Sequence, residues 1–386
     1  MTTDAATVEG RLVLDDRVTD GRIRIEGGLI VAVDADRSAE ADPSPESVSE
    51  RPFIVPGFVD VHVHGGGGHD AMGGRAALDG MARHLLRHGV TSFLPTAVTA
   101  PLPALVRFGE EVRAWRPEAP ADGAEPLGFN LEGPFLAEWR RGAHDPASLR
   151  VPANAPRPAL EPLLDGLRLL TIAPELPGAT DLIRWLRDRG VATSMGHSAA
   201  TFEEAQAGYA AGGTSTTHLF NAMTGIEHRA PGLAVAALLD DEAYVELIAD
   251  GIHVHPALWP LITRLKPPDR LLLVSDAVAL AGTGDGRGWI GSLEVEVVGQ
   301  RVTLVGTSTL AGSVIALDTA VRNLVASGVP LPAAVAAASR NPLALLGITD
   351  RGRIAAGQRA DLVELDGALK VRRVMRAGTW FTANAG

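Results

Sequence analysis

The sequence predicts an α/β fold, a TIM (β/α)8 barrel with a small β-sandwich domain built from both chain termini. Three observations carry the prediction. Across the middle of the 386-residue chain, eight short apolar segments alternate with helical stretches, an order that demands parallel βα units and, at eight, closes a barrel. Both ends instead alternate apolar and polar residues between Asp- and Gly-containing turns, as hairpins do. Polar residues able to bind a metal end five of the eight segments, on the rim where such a barrel builds its site.

Taken in order, residues 7–34, "TVEGRLVLDDRVTDGRIRIEGGLIVAVD", give short strands between Asp-Asp, Asp-Gly and Gly-Gly turns. A linker-like stretch, "AEADPSPESVSE" at 39–50, follows. The barrel strands are expected at 58–64, 90–98, 127–132, 168–174, 191–197, 214–219, 244–250 and 271–277. Helical stretches such as "ALDGMARHLLRHG", "ATDLIRWLRDRG" and "TFEEAQAGYAAGG" lie between them, each finishing at a glycine that suits a C-terminal cap. After the eighth strand, residues 289–307 read as an inserted hairpin, and two helices near 315–347 close the barrel. Residues 352–381 return to alternating strands. The expected division is 1–55 and 350–386 for the two parts of the small domain, and 56–349 for the barrel.

Composition excludes several classes of function. The formal charge of −11 opposes a nucleic-acid surface, which needs clustered cations. Lysine occurs only at Lys266 and Lys370, and cysteine is absent, so disulfides, thiolate metal sites and cysteine nucleophiles are ruled out. The opening "MTTDAATVEGRLVLDD" has neither a basic nor an apolar targeting region. No run reaches the roughly 18 apolar residues of a membrane span. A cytoplasmic enzyme without a membrane or nucleic-acid partner is expected.

The chemistry sits at the strand ends. His62 and His64 end the first strand, Glu132 the third, His197 the fifth, His218 the sixth and Asp276 the eighth. His62 and His64 stand two apart and share a face of their strand, while His197 and His218 are 21 residues apart, the length of one βα repeat. Such a set of imidazoles and carboxylates points to a divalent metal, Zn²⁺ foremost and Fe²⁺ or another ion next. Asp276 is placed to accept a proton from bound water and return it to a leaving group. The four glycines after His64, in "PGFVDVHVHGGGG", are expected to let backbone and substrate approach that metal closely.

"PGFVDVHVHG" resembles the strand-one motif of the amidohydrolase superfamily. Many of its binuclear members bridge two metals with a carboxylated lysine on strand four; neither lysine here has that position, and Glu132 in "NLEGPFL" takes its place. With "GHSAAT", "THLFNAM", "HRAPG", "ADGIHV", "VSDAVA" and "LAGS", the chain is similar, from about residue 7 to 382, to the N-acetylglucosamine-6-phosphate deacetylase family.

The resemblance implies a metal site at Glu132, His197 and His218, and a second ion where His62 and His64 are both present, so one or two ions per chain. It implies substrate contacts from His144 near the acetamido group, from Asn221 and Ala222 on the phosphate side, from Arg229 and His253, and from the segment Leu310, Ala311 and Gly312. Ala230 departs from the family's usual glutamate after the arginine. The implied reaction turns N-acetyl-D-glucosamine 6-phosphate into D-glucosamine 6-phosphate and acetate, in a homodimer whose neighbouring chain completes the phosphate pocket. The rival in the same class acts on the galacto epimer or another N-acyl amino sugar phosphate. The rival of another class, a non-catalytic oligomeric scaffold, has no reason to retain every ligand and Asp276.

Overall fold

A computed structural model describes residues 5–36 and 51–383; the linker-like stretch at 39–50 lies outside the described residues. Eight parallel strands follow one another in chain order: Phe58–Val63, Val90–Ala97, Phe129–Phe135, Leu167–Ile172, Ala192–Met195, Ser215–Thr216, Tyr244–Leu247 and Leu271–Leu273. The barrel closes just past the last strand, where the Asp276 N–H donates to the His62 carbonyl at 2.9 Å and the His64 N–H to that of Ala277 at 2.8 Å. All eight residues of Val90–Ala97 are buried, as expected of a parallel strand covered on both faces.

The outer helices bury one stripe each. Helix Arg75–Arg87 turns Leu78, Met81, Ala82, Leu85 and Leu86 inward, the spacing of an amphipathic helix. Helix Phe202–Ala211 opens with a reciprocal capping box between Thr201 and Glu204 and stops at Gly212, whose φ of 117° only glycine adopts readily. Three helices, Leu317–Ala326, Leu331–Ala337 and Arg340–Leu345, finish the barrel where two are expected. Ser339, at φ −137° and ψ −85°, breaks the path between the last two. The expected hairpin is a three-stranded meander, Gly286–Ile290, Leu293–Val298 and Arg301–Leu304.

The termini build one seven-stranded sheet, ordered Thr379–Thr382, Val371–Arg376, Leu362–Leu365, Phe53–Pro56, Ala6–Val13, Val18–Glu26 and Leu29–Ala35. It bends back on itself: Leu29 bridges Arg359, and Gly28 lies against the turn at Ala377 and Gly378. Val8, Leu12, Ile23, Ile25, Ile54 and Leu362 form part of its separate core. Strand Phe53–Pro56 hands the chain through Gly57 into the first barrel strand, which aims His62 and His64 at the barrel mouth.

Candidate metal centre

The first strand places Asp60, His62 and His64 on one face by its period of two. All three are buried. The His62 and His64 Nε2 atoms lie 3.3 Å apart. His64 Nδ1 donates to the Thr96 carbonyl at 3.1 Å, and His62 Nδ1 to Glu246 Oε2 at 3.0 Å. A carbonyl or ionised carboxylate oxygen can only accept, so each hydrogen bond places a proton on Nδ1 and turns Nε2 inward.

Glu132 occupies the middle of this space. Its Oε1 is 2.9 Å from Nε2 of both His197 and His218, and its Oε2 is 3.1 Å from Nε2 of both His64 and His144. Asp276 Oδ1 stands on the far side, 3.2 Å from His64 and 3.5 Å from His62. His197 Nδ1 donates to the Arg140 carbonyl at 2.8 Å, the same orientation as His62 and His64. His144 is the opposite tautomer. Its Nδ1 accepts the Thr99 backbone N–H at 3.2 Å, so its proton is on Nε2 and it presents a donor, not a lone pair.

Strand ends turn sharply to achieve this convergence. His197, His218 and Asp276 have φ values of 47°, 29° and 50°, and Phe220 and Ala222 follow at 76° and 50°. Such left-handed residues cost on the order of 1–3 kcal/mol each and cluster at functional sites. The turn at His218 also explains why the sixth strand is only two residues long.

The donor set fits a divalent cation. Burial depresses the histidines here, but Glu132 and Glu246 outweigh it at His62 and raise its pKa well above the ordinary value. At His64, burial is likewise outweighed by Asp276 and Glu132, and the pKa is pushed up to about 9. Burial alone tends to protonate Glu132, yet the surrounding imidazoles hold it well below the usual carboxylate range. His64 again outweighs burial at Asp276, whose pKa falls. Burial prevails at His197, which drops to about 4 and stays neutral. The site thus draws positive charge, which a metal on neutral imidazoles supplies as well as protons do. The buried His218 Nδ1 has no hydrogen-bond partner among the described residues.

A cleft of about 510 Å³ opens over these residues. His64, Glu132, His144, His197, His218, Asn221, Ala222, His253, Asp276, Leu310 and Gly312 line it. His253 Nδ1 bonds Asp250 Oδ2 at 2.6 Å. Gly312 cannot be replaced without strain, because at φ 64° a Cβ there would meet the Asp276 carbonyl at 2.8 Å. Ala311 is buried outside the lining, and Arg229 is exposed on the segment 225–230, also outside it. The glycines after His64 do not face the cleft. A Cβ at Gly65 would strike the His69 carbonyl at 2.4 Å, and at Gly66 and Gly67 the ring of His84. Their role is tight backbone packing against the segment after Asp276, which corrects the expectation of substrate access.

The model of the amidohydrolase family matches residues 53–381. The chain belongs to the amidohydrolase family. Among its relatives in that family, N-acetylgalactosamine-6-phosphate deacetylase of Escherichia coli O157:H7 is 39% identical over 365 residues, covering 93% of this chain and 94% of the relative. N-acetylglucosamine-6-phosphate deacetylase of Bos taurus is 41% identical over 345 residues, covering 84% and 82%. The N-acetylglucosamine-6-phosphate deacetylase structure from Thermotoga maritima superposes with a TM-score of 0.89 at 33% identity, covering 98% of this chain and 100% of that one. A mutant of the Mycobacterium smegmatis enzyme in complex with N-acetyl-D-glucosamine-6-phosphate gives 0.88 at 36%, covering 98% and 99%.

Several members of this amidohydrolase site escape sequence reasoning. Glu246, in the seventh strand, contacts two of the histidines. Asp60 accepts from the His62 and Ser275 N–H groups at 3.3 and 3.4 Å, and burial pushes its carboxyl up to about 7. Trp139, Arg140 and Arg141 line the cleft, with Trp139 76% exposed. The available signals were Glu246 and Asp60 themselves, charges inside the apolar runs "YVELIAD" and "FVDVHVH".

Proposed function

We propose that this chain hydrolyses N-acetyl-D-glucosamine 6-phosphate to D-glucosamine 6-phosphate and acetate. The observation that carries the reading is Glu132, set among four imidazole Nε2 atoms at 2.9–3.1 Å, with Asp276 across the same space and an open cleft above. The named activities of relatives at about 40% identity support the substrate class.

Glu132, His197 and His218 would hold one divalent ion, and His62 with His64 a second; zinc suits this nitrogen and oxygen set best. Once bound, such an ion supplies a water of lowered pKa and polarises the acyl oxygen. Asp276, kept ionised by its histidine neighbours, takes one proton from the attacking water as the water oxygen bonds to the acyl carbon. It then passes that proton to the nitrogen as the C–N bond breaks, because an amide anion is a very poor leaving group. The second water proton leaves the new carboxyl group. With Glu132 drawn to the ion, the His144 Nε2–H, which lies on Glu132 Oε2 at 3.1 Å, becomes the donor for the acetamido group, and Asn221, Ala222, His253 and the segment at Leu310–Gly312 seat the sugar phosphate. Arg229, exposed on its own chain, serves the phosphate in the cleft of a neighbouring subunit of a cytoplasmic homodimer.

The Escherichia coli relative favours a second reading, the galacto epimer, which differs at one hydroxyl. Acetate release from the 6-phosphates of both N-acetyl sugars and from unphosphorylated N-acetylglucosamine tests the proposal. The gluco 6-phosphate is expected to have the highest kcat/KM. A higher value for the galacto 6-phosphate would select the second reading, and no release from either would overturn both.

A further inference from the structure

Strand Tyr244–Leu247 presents one carboxylate, Glu246, fully buried against the metal-capable cluster. Its Oε2 accepts from His62 Nδ1 at 3.0 Å and from the His218 backbone N–H at 3.1 Å. Its backbone carbonyl accepts the Leu219 N–H at 2.8 Å. The other carboxylate oxygen, Oε1, is buried without a partner among the described residues. An ordinary structural carboxylate would satisfy both oxygens, since a buried polar atom left unpaired is destabilising. Here the charge is aimed at two residues of the centre only.

The two contacts do different things. The first locks the proton of His62 on Nδ1, so the Nε2 lone pair faces His64 Nε2 at 3.3 Å and Asp276 Oδ1 at 3.5 Å. The second anchors the backbone of His218 in its left-handed turn at φ 29°, which puts His218 Nε2 2.9 Å from Glu132. His62 belongs to one proposed ion site and His218 to the other. We propose that Glu246 is a positioning residue of the centre that acts by fixing the tautomer and aim of His62. This rests on the reading of the cluster as a metal centre.

The test uses purified full-length protein and zinc alone, with affinities read by chelator competition. Loss of an outer hydrogen-bond partner of a ligand typically costs 10- to 100-fold in metal affinity. Glu246→Leu should weaken the second zinc by that factor. Glu246→Gln keeps the acceptor and should recover most of the affinity. In a His62→Gln background, Glu246→Leu should weaken the remaining zinc by less than about 3-fold, because the coupled partner is already gone. An equal loss in both backgrounds, or wild-type zinc binding in Glu246→Leu, overturns the proposal. The wild-type protein also decides it where the leucine variant does not fold. ¹⁵N spectra of histidine-labelled, zinc-loaded enzyme, assigned by loss of the signal in His62→Gln, should show the His62 proton on Nδ1 and zinc on Nε2. The reverse arrangement refutes it. A wild type that binds no zinc refutes the metal centre itself and the inference with it.

Discussion

Replacing Glu132 by glutamine removes a charge from the centre of the site while keeping its size. The carboxylate is buried and contacts four imidazole nitrogens within 3.1 Å. A unit charge pair at ~4 Å is worth about 4 kcal/mol at an effective dielectric of about 20. A divalent ion doubles that figure, and the amide dipole returns part of it. A net loss of at least about 4 kcal/mol is therefore expected, or about 10³-fold in zinc affinity. Zinc per chain after gel filtration, chelator competition and acetate release would be measured on one preparation, with circular dichroism confirming the fold. Metal and activity should fall together. A folded variant that binds zinc as the wild type does would refute the role of Glu132.

Three further outcomes are expected. Asp276→Asn should keep near-native zinc but lose at least ~10²-fold in kcat, the scale of general acid–base catalysis; turnover within a few fold of wild type would move proton transfer elsewhere. Arg229→Ala should lower kcat/KM for the 6-phosphate by roughly 30- to 1,000-fold, as for truncation of a buried charged partner, and leave the unphosphorylated sugar almost unchanged; equal losses would assign Arg229 a structural role. His84, packed under Gly66, Gly67 and Gly282, is lowered to about 4 by burial first and by His88 and Arg87 next. The unfolded chain therefore binds a proton near pH 6.5 that the folded chain refuses, and stability falls as pH drops from 6.5 toward 4. From pH 7 to 5 the wild type should lose about 2 kcal/mol more than His84→Gln in urea unfolding; parallel curves would refute the assignment.

What could be seen in the sequence follows from what each signal depends on. His62, His64, Glu132, His197, His218 and Asp276 were legible because strand period and repeat length alone bring strand ends to one rim. Glu246 was not, since its importance lies in a contact with His62 across 184 positions of chain. The opposite tautomer of His144 depends on a backbone N–H from Thr99, which no spacing reveals. Trp139, Arg140 and Arg141 belong to no strand end, and only the folded chain sets them over the cleft. The short sixth strand and the break at Ser339 are backbone turns imposed by tertiary packing, and local propensity carries no trace of them. Most of the eight strands were clear, because a buried parallel strand usually reads as an apolar run, although the sixth, in "TSTTHL", is polar.

Whether deacetylation requires the ion proposed at Glu132, His197 and His218 is read most directly from a single sample taken through chelation and zinc re-addition. Zinc per chain and acetate release from N-acetyl-D-glucosamine 6-phosphate would be followed together. Activity should vanish as zinc falls below one per chain and return in proportion as the first equivalent is restored. Undiminished acetate release from the zinc-free, folded protein would contradict the metal-dependent mechanism.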